Sequence, residues 1–157
     1  MHSPLLIQEA QALEAFYDWS HTVADEEIDA QGHVHNLRYL AWTLKAAGKD
    51  TERLGWGKGR TLAEFGCDWV VRSHDVTYKA AAVAGESILV RTWISEVSRY
   101  AATRNYAVCR PADRTLLARV CTRWAMLDFS KRCAVAIPDP VLATMQVVES
   151  PPLPWKQ

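Results

Sequence analysis

The sequence lacks the features that define several large classes of protein. No apolar run approaches the roughly 20 residues that a membrane-spanning helix needs, and the opening MHSPLLIQEA has neither the basic region nor the long apolar segment of a signal peptide. Charge of one sign is not in excess, because 18 Lys and Arg residues balance 18 Asp and Glu residues. No global field would therefore draw the chain to nucleic acid. We expect a cytoplasmic protein with neither a nucleic-acid nor a membrane partner.

Cysteine is scarce and is not arranged for metal or disulfide chemistry. The four cysteines form no C-x-x-C pair, and the histidines do not cluster with them at zinc-ligand spacing. Cys109 and Cys121 fall in strand-like runs, where a buried thiol behaves as a small hydrophobe. We expect reduced structural cysteines, no metal and no cofactor. A Cys–His nucleophile and a metal site at His33 and His35 are the less favoured alternatives.

The remaining composition is that of one soluble globular domain. A chain of 157 residues fits a single domain, and with 49% hydrophobic residues it can bury a core that needs no disulfide or metal to stabilise it. We take residues 1–157 as one domain with its core over about 15–145. A short helix or arm is predicted over 5–14, and the proline-rich tail is predicted to be irregular.

One segment has the periodicity of an amphipathic helix, predicted over about residues 36–54. Asn36 is a good N-cap candidate, and Leu54 followed by Gly55 is a plausible end. The apolar face, at spacings of i, i+3, i+4 and i+7, comprises Leu37, Leu40, Ala41, Leu44 and Ala47. The side predicted to face water carries Lys45, Lys49, Asp50 and Glu52.

Most of the rest of the chain predicts strands. A first strand is predicted over 15–24, and after the glycine-rich GWGKGR turn come strands over 68–79, 86–97, 100–109 and 115–129, then a short helix over 139–145. In the 86–97 strand one face carries Ile88, Val90, Thr92 and Ile94. One helix segregated from a run of strands indicates an α+β fold, with the last four strands in an antiparallel meander and the helix laid on the sheet.

The polar, acidic segment Asp25–Asn36 immediately before the helix is the best candidate for chemistry. A helix N-terminus presents unpaired N–H groups and a partial positive charge, which can stabilise negative charge developing on a carbonyl oxygen. Gly32 allows the backbone to approach a ligand closely. A carboxylate a few residues upstream, such as Asp29, can then act on that carbonyl carbon directly or through water.

This segment resembles the signature loop of the hotdog thioesterases, in particular the 4-hydroxybenzoyl-CoA thioesterase-like family, which reads roughly D-x-D-x-x-G-x-V-x-N-x-x-Y-L. The corresponding residues run from Glu27 to Leu40, and the order of elements agrees over about residues 15–145. The positions that match are Asp29, Gly32, Val34, Asn36, Tyr39 and Leu40. The resemblance implies a hotdog fold, an antiparallel sheet wrapped around one long central helix, and hydrolysis of acyl-CoA thioesters to free acid and CoA.

The resemblance also implies catalytic roles. Asp29 stands at the position of the catalytic acid, as nucleophile or as general base for water, and backbone N–H groups near His35 and Asn36 would polarise the thioester carbonyl. Glu27 departs from the first Asp of the signature. Some relatives use an acid on the helix instead, but none occurs between Asn36 and Lys49.

Substrate contacts are expected from Gly32, His33 and Tyr39 around the acyl group. Trp42 and Trp69 are candidates to flank an acyl tunnel. The CoA phosphates call for a basic rim, for which the candidates are Arg72, Arg99, Arg104, Lys131 and Arg132. The turn at Ser98 and Arg99 is the preferred nucleotide grip, because relatives often hold the nucleotide there.

Each of these residues also has a purely structural interpretation. Asp29 could satisfy turn amides, His33 and His35 could shape the loop, Asn36 could cap the helix, and Tyr39 could be core.

Open sheet edges need protection, and the resemblance implies a homodimer or homotetramer in which two subunits contribute to each site. Alternatives are an acyl-carrier-protein thioesterase and a non-catalytic acyl-thioester-binding protein. A hotdog hydratase is less favoured, because its Asp and His motif is absent from the sequence.

Overall fold

One antiparallel sheet dominates the computed structural model, which describes residues 14–156. Its strand order is β1-β3-β4-β5-β2, and the short β6 extends it beside β5. The strands are β1 (Phe16–Thr22), β2 (Cys67–Tyr78), β3 (Ser87–Val97), β4 (Ala101–Arg110), β5 (Thr115–Asp128) and β6 (Cys133–Ala134). The helices are α1 (Asn36–Arg53), α2 (Arg60–Phe65) and α3 (Asp139–Leu142), and Asp25–Glu27 and Pro111–Asp113 form 3₁₀ turns.

The predicted strands and the long helix are confirmed with small shifts at their ends, whereas the predicted meander is wrong and one short helix was not predicted. The four late strands do not form a simple meander: β3, β4 and β5 do, but β2 pairs with β5 and β1 pairs with β3. Apolar periodicity marks a strand without specifying its partner. The glycine-rich segment leads into α2, which lies between Gly59 and Gly66, both at positive φ. The predicted arm over 5–14 falls almost entirely outside the described residues.

The face of α1 that packs on the sheet is only partly the predicted one, because Ala47 is buried and Leu40 partly buried in the core while the other three predicted residues are exposed. Leu37 is 67% exposed and Leu44 is 39% exposed. Besides Ala47, the buried face carries residues that were not predicted there: Tyr39, Trp42, Thr43, Ala46 and Asp50. The physical reason is that small residues let the helix approach the sheet, while the aromatic and acidic side chains find polar partners there. Asp50, predicted to face water, is buried in an ion pair.

The main core lies between α1 and the concave face of the sheet. Helix side chains pack there against β3, β4 and β5, including Val90, Val108 and Val120, which are at most 3% exposed. The predicted inward face of β3 is confirmed, because all four of its residues are buried. A curled antiparallel sheet around one long helix is the architecture that the resemblance implied.

The opposite face of the sheet is partly covered by the C-terminal tail. Trp93 and Cys109 are buried there against Val148 and Trp155. Trp93 Nε1 donates to the carbonyl of Glu149 at 3.2 Å. The tail lacks regular structure, as predicted, but it is held to the outer face of β3. Burial raises the pKa of the Cys109 thiol to about 11, and all four cysteines are free, which fits structural thiols.

Candidate active site

The loop before α1 is a tight turn organised around Asp29. The Asp29 N–H donates to the His33 carbonyl at 2.8 Å, and Asp29 Oδ1 accepts from the backbone N–H of Gln31 at 2.9 Å and of His33 at 3.3 Å. The turn-stabilising role of Asp29 is therefore present. Only Oδ1 is used in this way: Oδ2 accepts from no donor within residues 14–156. One carboxylate oxygen thus holds the loop while the other is available to a ligand.

Glu27 is the buried anchor of this loop. Its Oε1 accepts from Ala24 N–H at 3.0 Å and lies 2.6 Å from His21 Nε2, and its Oε2 accepts from Trp42 Nε1 at 2.7 Å. Burial opposes ionisation of Glu27, but the hydrogen bonds from Ala24, His21 and Trp42 together outweigh it and lower the pKa. Glu27 therefore joins β1, the loop and α1 through one charged group. This is a positioning role, and it explains why an acidic residue, Glu27, stands at the position of the first Asp of the signature.

The helix start differs in one position from the prediction. The N-cap is His35, whose Nδ1 accepts from the Leu37 N–H at 3.2 Å, and Asn36 is the first helical residue. The reason is that the His35 N–H is already held by the Glu27 carbonyl at 2.9 Å, so the chain is still extended there. Within the described chain the Asn36 N–H donates to no acceptor. A free amide at a helix start is the kind of donor that a carbonyl oxygen needs.

Three predicted substrate contacts have different surroundings. Gly32 is at φ +83° with nothing within 4 Å of the point that a Cβ atom would occupy, so this part of the loop is open. His33 is exposed beside it. Tyr39 is 2% exposed in the core, and its hydroxyl accepts from the Ala82 N–H at 3.0 Å. Tyr39 lines neither described cavity, and burial raises its pKa.

Of the remaining predicted contacts, Ser98 and Arg99 lie at the other end of the same protomer, and Arg72 lies midway along β2. Tyr78, which ends β2, reaches the Asn36 carbonyl with its hydroxyl at 3.0 Å and so marks the Asp29 end. Arg72 is at the bulge of β2, six residues or about 20 Å back along the strand. Ser98 and Arg99 form the turn between β3 and β4. The start of β3 lies at the Asp29 end, and this turn is about 36 Å further along the strand. One protomer therefore does not bring these residues to its own Asp29.

An apolar cavity of about 340 Å³ opens at this distal end. It lies between the C-terminal half of α1 and the sheet, and Trp69, predicted to flank an acyl tunnel, is in its wall. Trp42, the other candidate, is instead core and bonded to Glu27. The lining includes Leu44, Leu54, Trp56, Trp69, Ile94, Trp124 and Met145. A cavity of this size and character suits an acyl group.

A buried ion pair beside the cavity was not predicted: Arg104 lines the cavity and Asp50 lies behind it. Arg104 Nη1 donates to Asp50 Oδ2 at 2.7 Å, and Asp50 Oδ1 accepts from Arg53 Nε at 2.8 Å. Arg104 was predicted to belong to the exposed CoA rim, which is wrong, since it is 7% exposed. Its burial could have been predicted from the sequence, because Arg104 alternates with Ala102 and Tyr106 on the inward side of β4.

A family model matches most of the chain: residues 14–145 match the acyl-ACP thioesterase N-terminal domain. The chain belongs to the acyl-ACP thioesterase family. It is accordingly a thioester hydrolase with a hotdog fold, as the loop resemblance implied. No curated protein sequence matches it significantly.

Solved structures share this fold. The 1,4-dihydroxy-2-naphthoyl-CoA thioesterase of Synechocystis is 17% identical, with 87% of this chain and 99% of that chain covered and a TM-score of 0.78. A hypothetical protein of Thermus thermophilus is 29% identical, with 82% and 96% covered and a TM-score of 0.75. An acyl-ACP thioesterase of Bacteroides thetaiotaomicron is 20% identical, with 91% and 57% covered and a TM-score of 0.76. This chain therefore spans little more than half of the last protein.

Two kinds of feature are absent from the part of the chain that the structure describes. Across residues 14–156 no group of three or more His, Cys, Asp or Glu side chains is arranged to hold a metal ion. Among the helices described, none is both long and apolar enough to cross a membrane.

Proposed function

We propose that this thioesterase hydrolyses acyl-CoA, with Asp29 as its catalytic carboxylate. The observation that carries the proposal is that the same loop presents two unused groups: Asp29 Oδ2 accepts no hydrogen bond, and the Asn36 N–H at the start of α1 donates none within the described chain. The Asn36 amide and the partial positive charge of the helix start would bind the thioester carbonyl oxygen. Asp29 would then attack the carbonyl carbon or deprotonate a water that does so. His35 holds the helix start and so positions the donor.

The site is completed by a second copy of the chain. In one protomer the Asp29 loop and the acyl cavity are separated along α1, because the cavity touches the helix only from Leu44 onward, about 12 Å beyond Asn36. The predicted CoA contacts Ser98 and Arg99 are also at the cavity end, and Arg72 lies midway along β2. An antiparallel homodimer would bring the Asp29 end of one protomer to the cavity end of its partner.

Strand β2 is the edge that suits this pairing. It runs from Asp68, in the cavity wall, to Tyr78, which bonds the Asn36 carbonyl. Within the described chain β2 has β5 on one side and no strand on the other. Antiparallel pairing of two β2 strands about a twofold axis would exchange these two ends. The exposed apolar stripe of α1, formed by Leu37, Ala41 and Leu44, would also gain cover. Dimers of dimers are compatible with this arrangement.

Coenzyme A is favoured as the carrier by the basic rim at the cavity end. Arg99, Lys131 and Arg132 are exposed there, Arg72 is exposed midway along β2, and Lys58 lines the cavity. Lys131 and Arg132 follow Asp128, which pairs with Cys67 at the start of β2. Phosphate groups are matched by such a cluster of guanidinium and ammonium groups.

An acyl-carrier protein is the second candidate, and the family match supports it. The same basic rim could receive the acidic surface and phosphopantetheine of such a carrier. The experiment that separates the two compares acyl-CoA with the same acyl group on holo acyl-carrier protein, by release of free acid. Under our proposal kcat/KM is higher with CoA, and charge reversal at Arg99 lowers it. Turnover of the carrier-bound substrate alone would identify the second candidate.

A further inference from the structure

Arg104 is a buried guanidinium in the wall of a mainly apolar cavity, whose other two charged lining residues, Lys58 and Asp68, are opposite in sign. It is 7% exposed and lies on the inward face of β4. Its Nη1 donates both of its protons, to Asp50 Oδ2 at 2.7 Å and to Thr92 Oγ1 at 3.2 Å. A guanidinium carries five N–H donors, so three of them remain on Nε and Nη2.

These three donors are directed to accessible space. Within residues 14–156 Nε and Nη2 of Arg104 donate to no acceptor. Neither atom is among the solvent-inaccessible side-chain atoms that lack a hydrogen-bond partner, so both remain accessible. Arg104 lines the cavity. Its unused donors therefore face the cavity and are available to a bound molecule.

The charge around Arg104 favours an acceptor that is itself negative. Asp50 is shared by two guanidinium groups, since Arg53 Nε and Nη2 both lie 2.8 Å from its Oδ1. Two positive groups on one carboxylate leave one unit of positive charge beside the cavity. Asp50 does not need Arg104 for neutrality, and a second buried guanidinium is costly unless its donors are used. An oxygen acceptor on the substrate would use them.

We propose that Arg104 is a specificity residue that selects acyl groups carrying an oxygen acceptor at the end remote from the thioester. The class comprises carboxyacyl and hydroxyacyl groups, with the carboxylate bound more strongly than the hydroxyl. The apolar lining, including Trp56, Trp69 and Trp124, binds the hydrocarbon part between the thioester and that acceptor. The inference rests on the proposed function, because the cavity is taken as the acyl site.

The test measures kcat/KM for matched thioesters on one carrier: butyryl with succinyl, hexanoyl with adipoyl, octanoyl with suberoyl, and benzoyl with para-hydroxybenzoyl. A hydrogen bond to a charged group predicts that the wild type prefers the best-fitting polar acyl group over its apolar match by roughly 10- to 100-fold. Arg104→Met brings this ratio to about one. Arg104→Lys keeps a positive charge beside Asp50 but loses the planar set of guanidinium donors, so we expect an intermediate ratio.

A matched control is Arg91→Met. Arg91 is likewise paired with an aspartate, Asp18, and its side chain is 11% exposed, but it lies on the outer face away from the cavity. Its replacement leaves the ratio as in the wild type. The ratio does not depend on the fraction of folded enzyme, so a destabilised Arg104→Met remains informative. Should that variant fail to fold, the wild-type ratio and Arg104→Lys still decide the matter.

Failure of this proposal differs from failure of the proposed function. Hydrolysis of all pairs with wild-type ratios near or below one, or ratios unaltered by Arg104→Met, overturns the role of Arg104 and leaves thioesterase activity intact. Absence of turnover with every thioester overturns the proposed function instead. In that event the tryptophan fluorescence of the cavity, titrated with adipate and with hexanoate, tests Arg104 by itself. Tighter binding of adipate that Arg104→Met abolishes supports the proposal, and equal binding overturns it.

Discussion

Trp42 Nε1 donates a 2.7 Å hydrogen bond to Glu27 Oε2, and this contact joins the central helix to the loop that carries Asp29. Both residues are buried, Trp42 at 3% and Glu27 at 7% exposure. The carbonyl of Glu27 also accepts the His35 N–H, so the same residue holds the loop on both sides of Asp29. The geometry of the candidate active site therefore depends on a buried pair that does not itself touch substrate.

Replacing Trp42 by Phe tests this dependence, because the ring is kept and the donor is lost. We expect a loss of about 1.5–3 kcal/mol in the free energy of unfolding, since a charged acceptor loses a buried partner. A double-mutant cycle with Glu27→Gln should give a coupling energy of about 1 kcal/mol or more. Urea denaturation measures both. Additive effects of the two substitutions would contradict the contact.

The lowered pKa of Glu27 predicts a pH dependence of stability. A carboxyl group whose pKa is lowered on folding stabilises the fold above its unfolded value, 4.5, and loses that contribution as pH falls through the lowered pKa. The difference in unfolding free energy between wild type and Glu27→Gln should therefore be largest near neutral pH and shrink below about pH 4.5. Denaturation across pH 3–7 measures it, and a difference that grows on acidification would contradict the assignment.

Subunit complementation tests whether two copies build each site. Asp29→Asn damages the loop end, and Ala102→Trp fills the cavity, since Ala102 is 7% exposed in its wall. When the two inactive variants are unfolded, mixed and refolded, about half of the dimers should be heterodimers, and each heterodimer has one intact site of two. Activity should therefore return to about a quarter of the wild-type value. Mixing Asp29→Asn with itself is the control. No recovery in verified heterodimers would contradict a shared site.

Much of the fold could be predicted from local patterns. Alternating apolar residues marked β3 correctly, and helical spacing marked α1 to within one residue at its end. The pairing of β2 with β5 could not be predicted, because strand partners depend on chain reversals and packing that periodicity does not encode. The buried face of α1 was only partly right for a related reason. Leucines define the most hydrophobic stripe, but Trp42 and Asp50 are buried by partners far away in sequence, Glu27 and Arg104.

The candidate site was predictable as a loop but not as a cavity. Asp29, Gly32 and Asn36 lie within eight consecutive residues, so a short motif is sufficient to find them. The cavity combines α1, β2, β3, β4 and the segment around α3, and no local pattern joins those elements. The role of Glu27 also needed the structure, because its partners His21 and Trp42 lie 6 and 15 residues away.

The central claim, that Asp29 performs the chemistry, is tested most directly by kcat for acyl-CoA hydrolysis in Asp29→Asn. Asparagine keeps a carbonyl oxygen to accept the Gln31 and His33 amides, so the loop is retained while the carboxylate is lost. The control is Asp25→Asn, an exposed acid of the preceding 3₁₀ turn. We predict that kcat falls by about 100-fold or more in Asp29→Asn, with an unchanged melting temperature, and is as in the wild type in Asp25→Asn. Wild-type kcat in a folded Asp29→Asn enzyme would contradict the account.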